Sequence, residues 1–311
     1  MKKFLLLIII FFNSANALYA SEDVVKIFYK VNEDIISNID IKKEADYLKA
    51  LNKNFDKINQ KQIFTLAENS LIREIIKKDT IEKYYKIDYQ AEQIDKFVSN
   101  LMGNLGFVSN QDFKNYLLNY NLTIEDVKKK LAIENTWNQL IYEMFNKKVK
   151  INKDEISEKI ENSLRYNQYQ QSFNLSEIVF TGKNKSLIEK KYNQILLDIK
   201  NLGFEQAAVL HSISETSKKG GKIGWINENQ ISKNIYDQIK KLSEGEYTPS
   251  INTVGGSIIL KVNEKKDILA DEIDKELELS NAIKIERNKQ LNEFSMIYYK
   301  KIENKSYVKK F

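Results

Sequence analysis

The chain has 311 residues, and 49 Lys and Arg stand against 43 Asp and Glu, so its net charge is only +6. This small excess is spread along the chain without a basic block, which gives no support to nucleic-acid binding. The chain contains no cysteine and one histidine. Disulfides, thiol chemistry and the usual zinc sites are therefore excluded, and we expect neither a metal nor a cofactor.

The first 20 residues predict a cleaved secretory signal peptide. Lys2 and Lys3 precede an apolar run over residues 4–12, and a small-residue A-x-A site follows at residues 15–17. This order is typical of export signals, and the run is shorter than the roughly 20 apolar residues of a membrane-spanning helix. We expect cleavage after Ala20, with Ala17 as the alternative site, and no permanent membrane span afterwards. An uncleaved amino-terminal anchor is the other interpretation.

The region 21–168 predicts a mainly helical module. Its first residues, 27–31 and 35–36, favour two short strands joined by a turn. Apolar residues then recur at spacings of three and four, which predicts amphipathic helices in the segments 63–75, 94–105, 113–120, 127–145 and 156–164. Thr123 and Asp126 form a variant capping box, and Asn152 gives a second cap signal. Because amphipathic helices need partners, we expect them to pack into one bundle.

Glycine and proline concentrate in the region 169–266. Seven of the ten glycines lie between Gly203 and Gly256, and the only proline is Pro249. The patterns predict, in order, a strand, two helices, a strand, a helix and a strand, near residues 173–180, 187–199, 204–210, 224–226, 231–242 and 257–262. This order predicts an α+β domain inserted into the helical chain. The region 267–311 becomes helical again up to residue 299.

The inserted domain resembles the parvulin-type (PpiC-like) peptidyl-prolyl isomerases. The matching stretches are Phe204–Ala208, His211–Ser212, Gly220–Trp225, Glu244–Glu246 and Gly255–Val262. Their order and spacing over about 60 residues are those of that family.

The flanking regions resemble the chaperone module of SurA-type proteins. The similar stretches are Val31–Ile36, Leu122–Val127 and Ser306–Lys309. The resemblance implies that the carboxy-terminal helix and strand of region 267–311 complete the amino-terminal module. It also implies a periplasmic location and, as partners, unfolded or nascent outer-membrane proteins.

Parvulins commonly place two hydrogen-bonded histidines on adjacent strands, and the resemblance assigns these positions to Glu177 and Ser257. Ser214 matches a position where the family often has Cys or Asp. Both histidines are missing, so we expect weak or lost isomerase activity. A hydrogen bond between Glu177 and Ser257 is the replacement that the match suggests, since a carboxylate accepts from a hydroxyl. His211 matches none of these positions, and we expect it to be a packed or capping residue.

Rotation about a peptide bond faces a barrier of ~18–20 kcal/mol but breaks no bond, so the site needs neither a nucleophile nor a metal. It needs a dry apolar pocket that favours the twisted amide. The resemblance assigns this substrate-binding pocket to Ile223, Ile231 and Ile235, none of which is aromatic. The alternative is that these isoleucines are ordinary core residues.

The leading hypothesis is a chaperone that holds unfolded polypeptides in a groove between the helical module and the inserted domain. Aromatic residues that could line this groove are Tyr84, Tyr85, Tyr116, Tyr120 and Trp137. The alternative is that most of them belong to the core of the bundle. The competing functions are a working periplasmic prolyl isomerase and a scaffold protein that uses an inactive parvulin-like domain for interactions.

Overall fold

The computed structural model describes residues 24–311 except 53–54, 56–57, 167–168, 183, 254–255 and 270–273. The predicted signal peptide, residues 1–20, lies outside these described residues. Within the described ranges, no helix is both long enough and apolar enough to cross a membrane.

A helical module is formed by both ends of the described chain. Its elements are β1 (Ile27–Val31), β2 (Asp34–Ser37), α1 (Asn38–Leu51), α2 (Gln60–Ile81), α3 (Glu92–Asn104), α4 (Asn110–Leu118), α5 (Ile124–Phe145), α6 (Lys153–Tyr166), α10 (Lys275–Glu303) and β7 (Val308–Lys310). An α+β domain is inserted between α6 and α10. Its elements are β3 (Tyr169–Phe180), α7 (Lys185–Leu202), α8 (Phe204–His211), β4 (Lys222–Asn227), α9 (Lys233–Ile239), β5 (Ile251–Thr253) and β6 (Gly256–Leu269). The predicted fold class, a helical module with an inserted α+β domain, is confirmed.

Two α-helices, α5 and α1, begin with a capping box. Thr123 and Asp126 form the predicted capping box at the start of α5, with each side chain bonded to the other residue's backbone N–H. Ser37 and Asp40 form a second capping box that begins α1. The apolar spacing alone did not predict this helix.

A three-stranded antiparallel sheet joins the two ends of the module. The strand order is β2-β1-β7, and Tyr29 of β1 lies opposite Ile36 on one side and Lys310 on the other. The side chains of Tyr29, Val31 and Ile36 are buried against α1 and α2. The last strand, β7, therefore completes the module by pairing its backbone with the first strand, β1.

An ionic network ties α1, α2 and α5 together inside the module. The Nζ atom of Lys130 lies 2.5 Å from Oε2 of the buried Glu44 and also pairs with Glu74. Burial by itself would lower the pKa of Lys130, but the charges of Glu44 and Glu74 outweigh it and raise the pKa. A second pair joins Lys77 to Glu134 at 2.8 Å.

The inserted domain is a four-stranded antiparallel sheet with the order β4-β3-β6-β5. One face is covered by α7 and α8, which pack against Ile178, Phe180 and Ile259. The other face packs against α9 through residues that include Phe173 and Leu260. The sheet therefore has two separate apolar layers.

The domain contacts the module through an apolar junction. Leu202 at the end of α7 and Val209 and Leu210 of α8 pack against a module core that includes Tyr299 and Ile302 of α10. Part of the predicted groove between the module and the domain is therefore filled by packed side chains.

Candidate functional site

Glu177, which the resemblance assigned to a histidine position, points from β3 into a small hydroxyl cluster. Its Oε1 atom accepts hydrogen bonds from the hydroxyls of Ser214 (2.7 Å) and Thr216 (2.8 Å). The two hydroxyl oxygens are 3.1 Å apart. Two of the three residues were expected at this site. Thr216 was missed, although it stands only two residues after Ser214 in the sequence.

A glycine loop fixes the backbone at Glu177. The N–H of Glu177 donates to the carbonyl of Gly221 at 2.8 Å, and Gly221 has φ +79°. A Cβ atom at Gly221 would lie only 2.2 Å from the carbonyl oxygen of Glu177. Glycine is required here both by the left-handed backbone and by the close approach.

Ser257 does not join Glu177, so the suggested hydrogen bond between them is wrong. Glu177 lies opposite Leu260 and Phe180 lies opposite Ser257 in the pairing of β3 with β6. Successive side chains on a strand point to opposite faces, so a separation of three residues puts Glu177 and Ser257 on different faces of the sheet. The hydroxyl of Ser257 donates instead to Oδ1 of Asn252 at 3.2 Å. Leu260 and Ile258 are the β6 residues nearest to Glu177 on its face of the sheet.

Two of the three predicted pocket residues come together. Ile231 and Ile235 pack into the apolar layer between α9 and the sheet, which also contains Ile258. Ile223 lies on β4, outside that layer, with 39% of its surface exposed.

An aromatic ring that the sequence reasoning missed belongs to the same layer. The ring of Tyr236 meets that of Phe173 edge-on at 6.1 Å between centroids. Burial and a hydrogen bond to Glu228 raise the pKa of Tyr236 to about 12, so the phenol is neutral at physiological pH. The sequence offered a hint of this ring, because Tyr236 directly follows the predicted pocket residue Ile235. The layer is thus apolar and partly aromatic.

His211 is held away from the hydroxyl cluster at the end of α8. Its Nε2 atom lies 2.7 Å from Oδ2 of Asp198 on α7. Burial lowers the pKa of His211, and it outweighs the opposing effect of Asp198. This geometry agrees with the expectation of a packed histidine.

The aromatic residues proposed for the groove divide into core and surface. Trp137 is fully buried, its Nε1–H donates to Oγ of Ser295 at 2.9 Å, and its ring stacks on Tyr298, so its assignment to the groove is wrong. Tyr116 and Tyr120 pack against the cluster around α4.

Tyr84 and Tyr85, by contrast, line an open depression of about 560 Å³ together with Tyr89. Tyr84 is 57% exposed. Of the aromatic residues proposed for binding, these two are therefore in a position to contact another polypeptide.

Comparison with known proteins agrees with the geometry of the inserted domain. Residues 172–264 match the rotamase family described as the PPIC-type PPIASE domain. Chaperone SurA of Pseudomonas putida is 22% identical over 193 residues, which are 58% of this chain and 45% of that protein. Foldase protein PrsA 2 of Bacillus cereus is 26% identical over 226 residues, or 70% of each chain.

The chain spans about half the length of the SurA proteins it matches. A solved structure reported for the SurA-like chaperones PEB4 and Cj1289 of Campylobacter jejuni is 16% identical, covers 92% of this chain and 98% of its own, and gives a TM-score of 0.38. Residues 172–264 thus match a PPIC-type rotamase domain, and the chain around them is similar to SurA and PrsA proteins.

Proposed function

We propose that this protein is a periplasmic chaperone that binds unfolded outer-membrane proteins, and that its parvulin-type domain has weak or lost isomerase activity. The observation that supports weak or lost isomerase activity is the environment of the Glu177 side chain. Its carboxylate occupies a histidine position and is held by Ser214 and Thr216. A charged, hydroxyl-bonded group opposes the dry environment that favours a twisted amide.

The surface depression around Tyr84 supports the chaperone role. It is lined by Tyr84, Tyr85 and Tyr89 together with the exposed Lys83 and Lys86. Tyrosine rings offer large amphipathic contact areas at a low cost in side-chain entropy. We call these five residues the tyrosine surface, and we propose that it contacts aromatic segments of clients.

An aggregation assay tests the chaperone role. An outer-membrane β-barrel protein is diluted from urea, and light scattering is followed with and without an equimolar amount of this protein. We expect a clear delay of aggregation. Absence of any delay would contradict the proposal and favour the scaffold function.

Variants then locate the contact. Tyr84→Ser combined with Tyr89→Ser should shorten the delay, because the substitutions remove two rings from the tyrosine surface. Tyr307→Ser is the matched control, since Tyr307 is also about half exposed (54%) but lies beside β7. An equal loss in both variants would show that the tyrosine surface has no special role.

A working prolyl isomerase is the second candidate function, and the layer that contains Ile231, Ile235 and Tyr236 favours it. A protease-coupled assay on a short Xaa-Pro peptide separates the two. We expect little or no acceleration above the uncatalysed rate. Turnover that falls in the Ile235→Ala variant would favour the isomerase function instead.

A further inference from the structure

Positive charge is concentrated where the chain forms its last strand. Residues 300–311 contain five lysines and one glutamate, so they supply +4 of the net charge of +6, which is less evenly spread than expected. Lys300 pairs with Glu303 at 2.9 Å, and Lys310 pairs with Glu68 at 3.3 Å. Among the residues that the structure describes, the other three lysines of this segment have no carboxylate oxygen within 4.0 Å.

One of these three lysines, Lys309, faces a second cation within the sheet. It lies directly opposite Lys30 in the pairing of β7 with β1, on the face turned away from the module core. Like charges in directly opposite positions destabilise a sheet. Glu33, the partner of Lys30 at 3.4 Å, is 97% exposed, so it offsets little of this repulsion. An anionic group beside Lys309 would therefore stabilise the sheet.

The strand β7 also offers backbone groups to a further strand. It is the outer strand in the order β2-β1-β7, and all three of its residues are exposed. The carbonyl of Tyr307 accepts from the N–H of Asn32 at 2.8 Å, and the N–H of Phe311 donates to β1 at 2.9 Å. Successive residues of a strand turn their backbone groups to opposite sides, so those of Val308 and Lys310 point away from β1.

We propose that the free edge of β7 binds an extended acidic segment of another protein, which adds a strand to the small sheet. The backbone groups of Val308 and Lys310 would bond to the added strand, and an acidic side chain on it would lie beside Lys309. A second copy of this chain does not fit, because pairing two β7 strands would place lysine against lysine. The site uses other residues than the tyrosine surface and does not depend on the chaperone role.

Peptide binding to residues 21–311 tests the added strand. The probe is a fluorescent peptide that alternates Glu and Thr, and binding is followed by anisotropy at low ionic strength. We expect saturable binding of this peptide and none of a peptide that alternates Lys and Thr. The Glu peptide with methylated backbone nitrogens keeps its charge but cannot donate hydrogen bonds, so it should bind at least about tenfold more weakly. Equal binding of the methylated and unmethylated Glu peptides would overturn the proposal.

Variants separate the backbone contact from the charge. Val308→Pro removes an outward N–H, which an edge strand tolerates, and should weaken binding of the Glu peptide roughly fivefold. Lys309→Glu should weaken it about tenfold and should create binding of the Lys peptide. This second variant also removes the repulsion with Lys30, so it should fold at least as stably as the wild type. Lys114→Glu is the matched control, because it makes the same change in net charge at an exposed position of α4.

The control variant and a lipid probe decide the remaining outcomes. If Lys309→Glu and Lys114→Glu weaken binding of the Glu peptide equally, only the net charge matters and the proposed edge is overturned. Vesicles of phosphatidylcholine with phosphatidylglycerol test the same lysines against an anionic membrane surface. Binding to these vesicles without binding to the Glu peptide would assign the positive charge to a membrane surface and overturn the proposal.

Discussion

The hydroxyl of Ser214 donates a 2.7 Å hydrogen bond to the carboxylate of Glu177, and this contact joins β3 to the turn that follows α8. The same carboxylate oxygen accepts from Thr216. The carboxylate of Glu177 is therefore held by hydroxyl groups from the turn after α8 and not by a side chain of β6.

Removing these donors should destabilise the domain. Ser214→Ala and Thr216→Val each remove a hydrogen bond to a half-buried carboxylate, and each should lower the free energy of unfolding by about 1–2 kcal/mol. Urea unfolding followed by circular dichroism measures the loss. Ser176→Ala, which removes a hydroxyl from the opposite face of the same strand, is a control for a general effect of losing a buried serine. If the two site variants are as stable as the wild type, the cluster does not hold Glu177.

Glycine at position 221 should be irreplaceable. In Gly221→Ala the new methyl group meets the carbonyl oxygen of Glu177, and the residue also keeps a left-handed backbone. We expect a loss of more than about 3 kcal/mol, because the backbone strain of 1–3 kcal/mol adds to the clash. Gly224→Ala is the control, since Gly224 has φ +99° but nothing within 4 Å of its Cβ position. Equal losses in the two variants, measured by urea unfolding, would contradict the close approach.

The ionic network of the module should respond asymmetrically to substitution. Lys130→Met leaves the buried Glu44 without its cation, which should cost about 3 kcal/mol of unfolding free energy. The double variant Lys130→Met with Glu44→Leu should recover much of this loss, because the buried carboxylate is removed as well and the remaining Glu74 is partly exposed.

The direction of the pKa shift of Lys130 also predicts how the contribution of this network to stability depends on pH. The pKa of Lys130 is raised in the folded state, so its contribution is complete below the unfolded value of about 10.4. The contribution falls only as the pH rises through the folded pKa. The difference in unfolding free energy between the wild type and Lys130→Met should therefore be constant between pH 6 and pH 9.

His211 predicts a pH dependence of the opposite kind. Its pKa is lowered by burial, so the unfolded chain binds the proton more readily than the folded one. Stability from this group is present above the unfolded value of about 6.5 and is lost as the pH falls toward the folded pKa. Between pH 7.5 and pH 5.5, His211→Asn should lose less unfolding free energy than the wild type does, as measured by urea unfolding at each pH. An identical pH profile in both proteins would contradict a buried histidine.

The sequence predicted those features that depend on local spacing. The cap at Thr123 and the apolar faces of α2 and α5 were found because helix periodicity and capping act within a few residues. Whether Ser257 reaches Glu177 could not be predicted in this way. The answer depends on which face of the sheet Ser257 occupies, and that face is set by the register between β3 and β6.

The sequence likewise did not determine which aromatic residues are buried and which are exposed. Tyr84 and Trp137 are both aromatic residues of the mainly helical region, yet Tyr84 is exposed while Trp137 is buried and stacks on Tyr298 of α10. That helix enters the bundle from far along the chain, as the bond between Trp137 and Ser295 shows. Only long-range packing distinguishes an exposed aromatic residue from a core residue here.

The pairing of β1 with β7 sets an order of assembly. The backbone N–H of Tyr307 donates to Oδ1 of Asn32, across 275 residues of sequence. The β3–β6 pairing, in contrast, is contained within residues 169–269. Because nearby contacts form sooner than distant ones, a chain that emerges amino end first can complete the inserted domain while the module still lacks its last strand. The inserted domain would then be the first folded part of the chain. The tyrosine surface that we propose for client binding would be completed later, because Tyr85 and Tyr89 pack in one cluster with Leu291 and Tyr298 of α10.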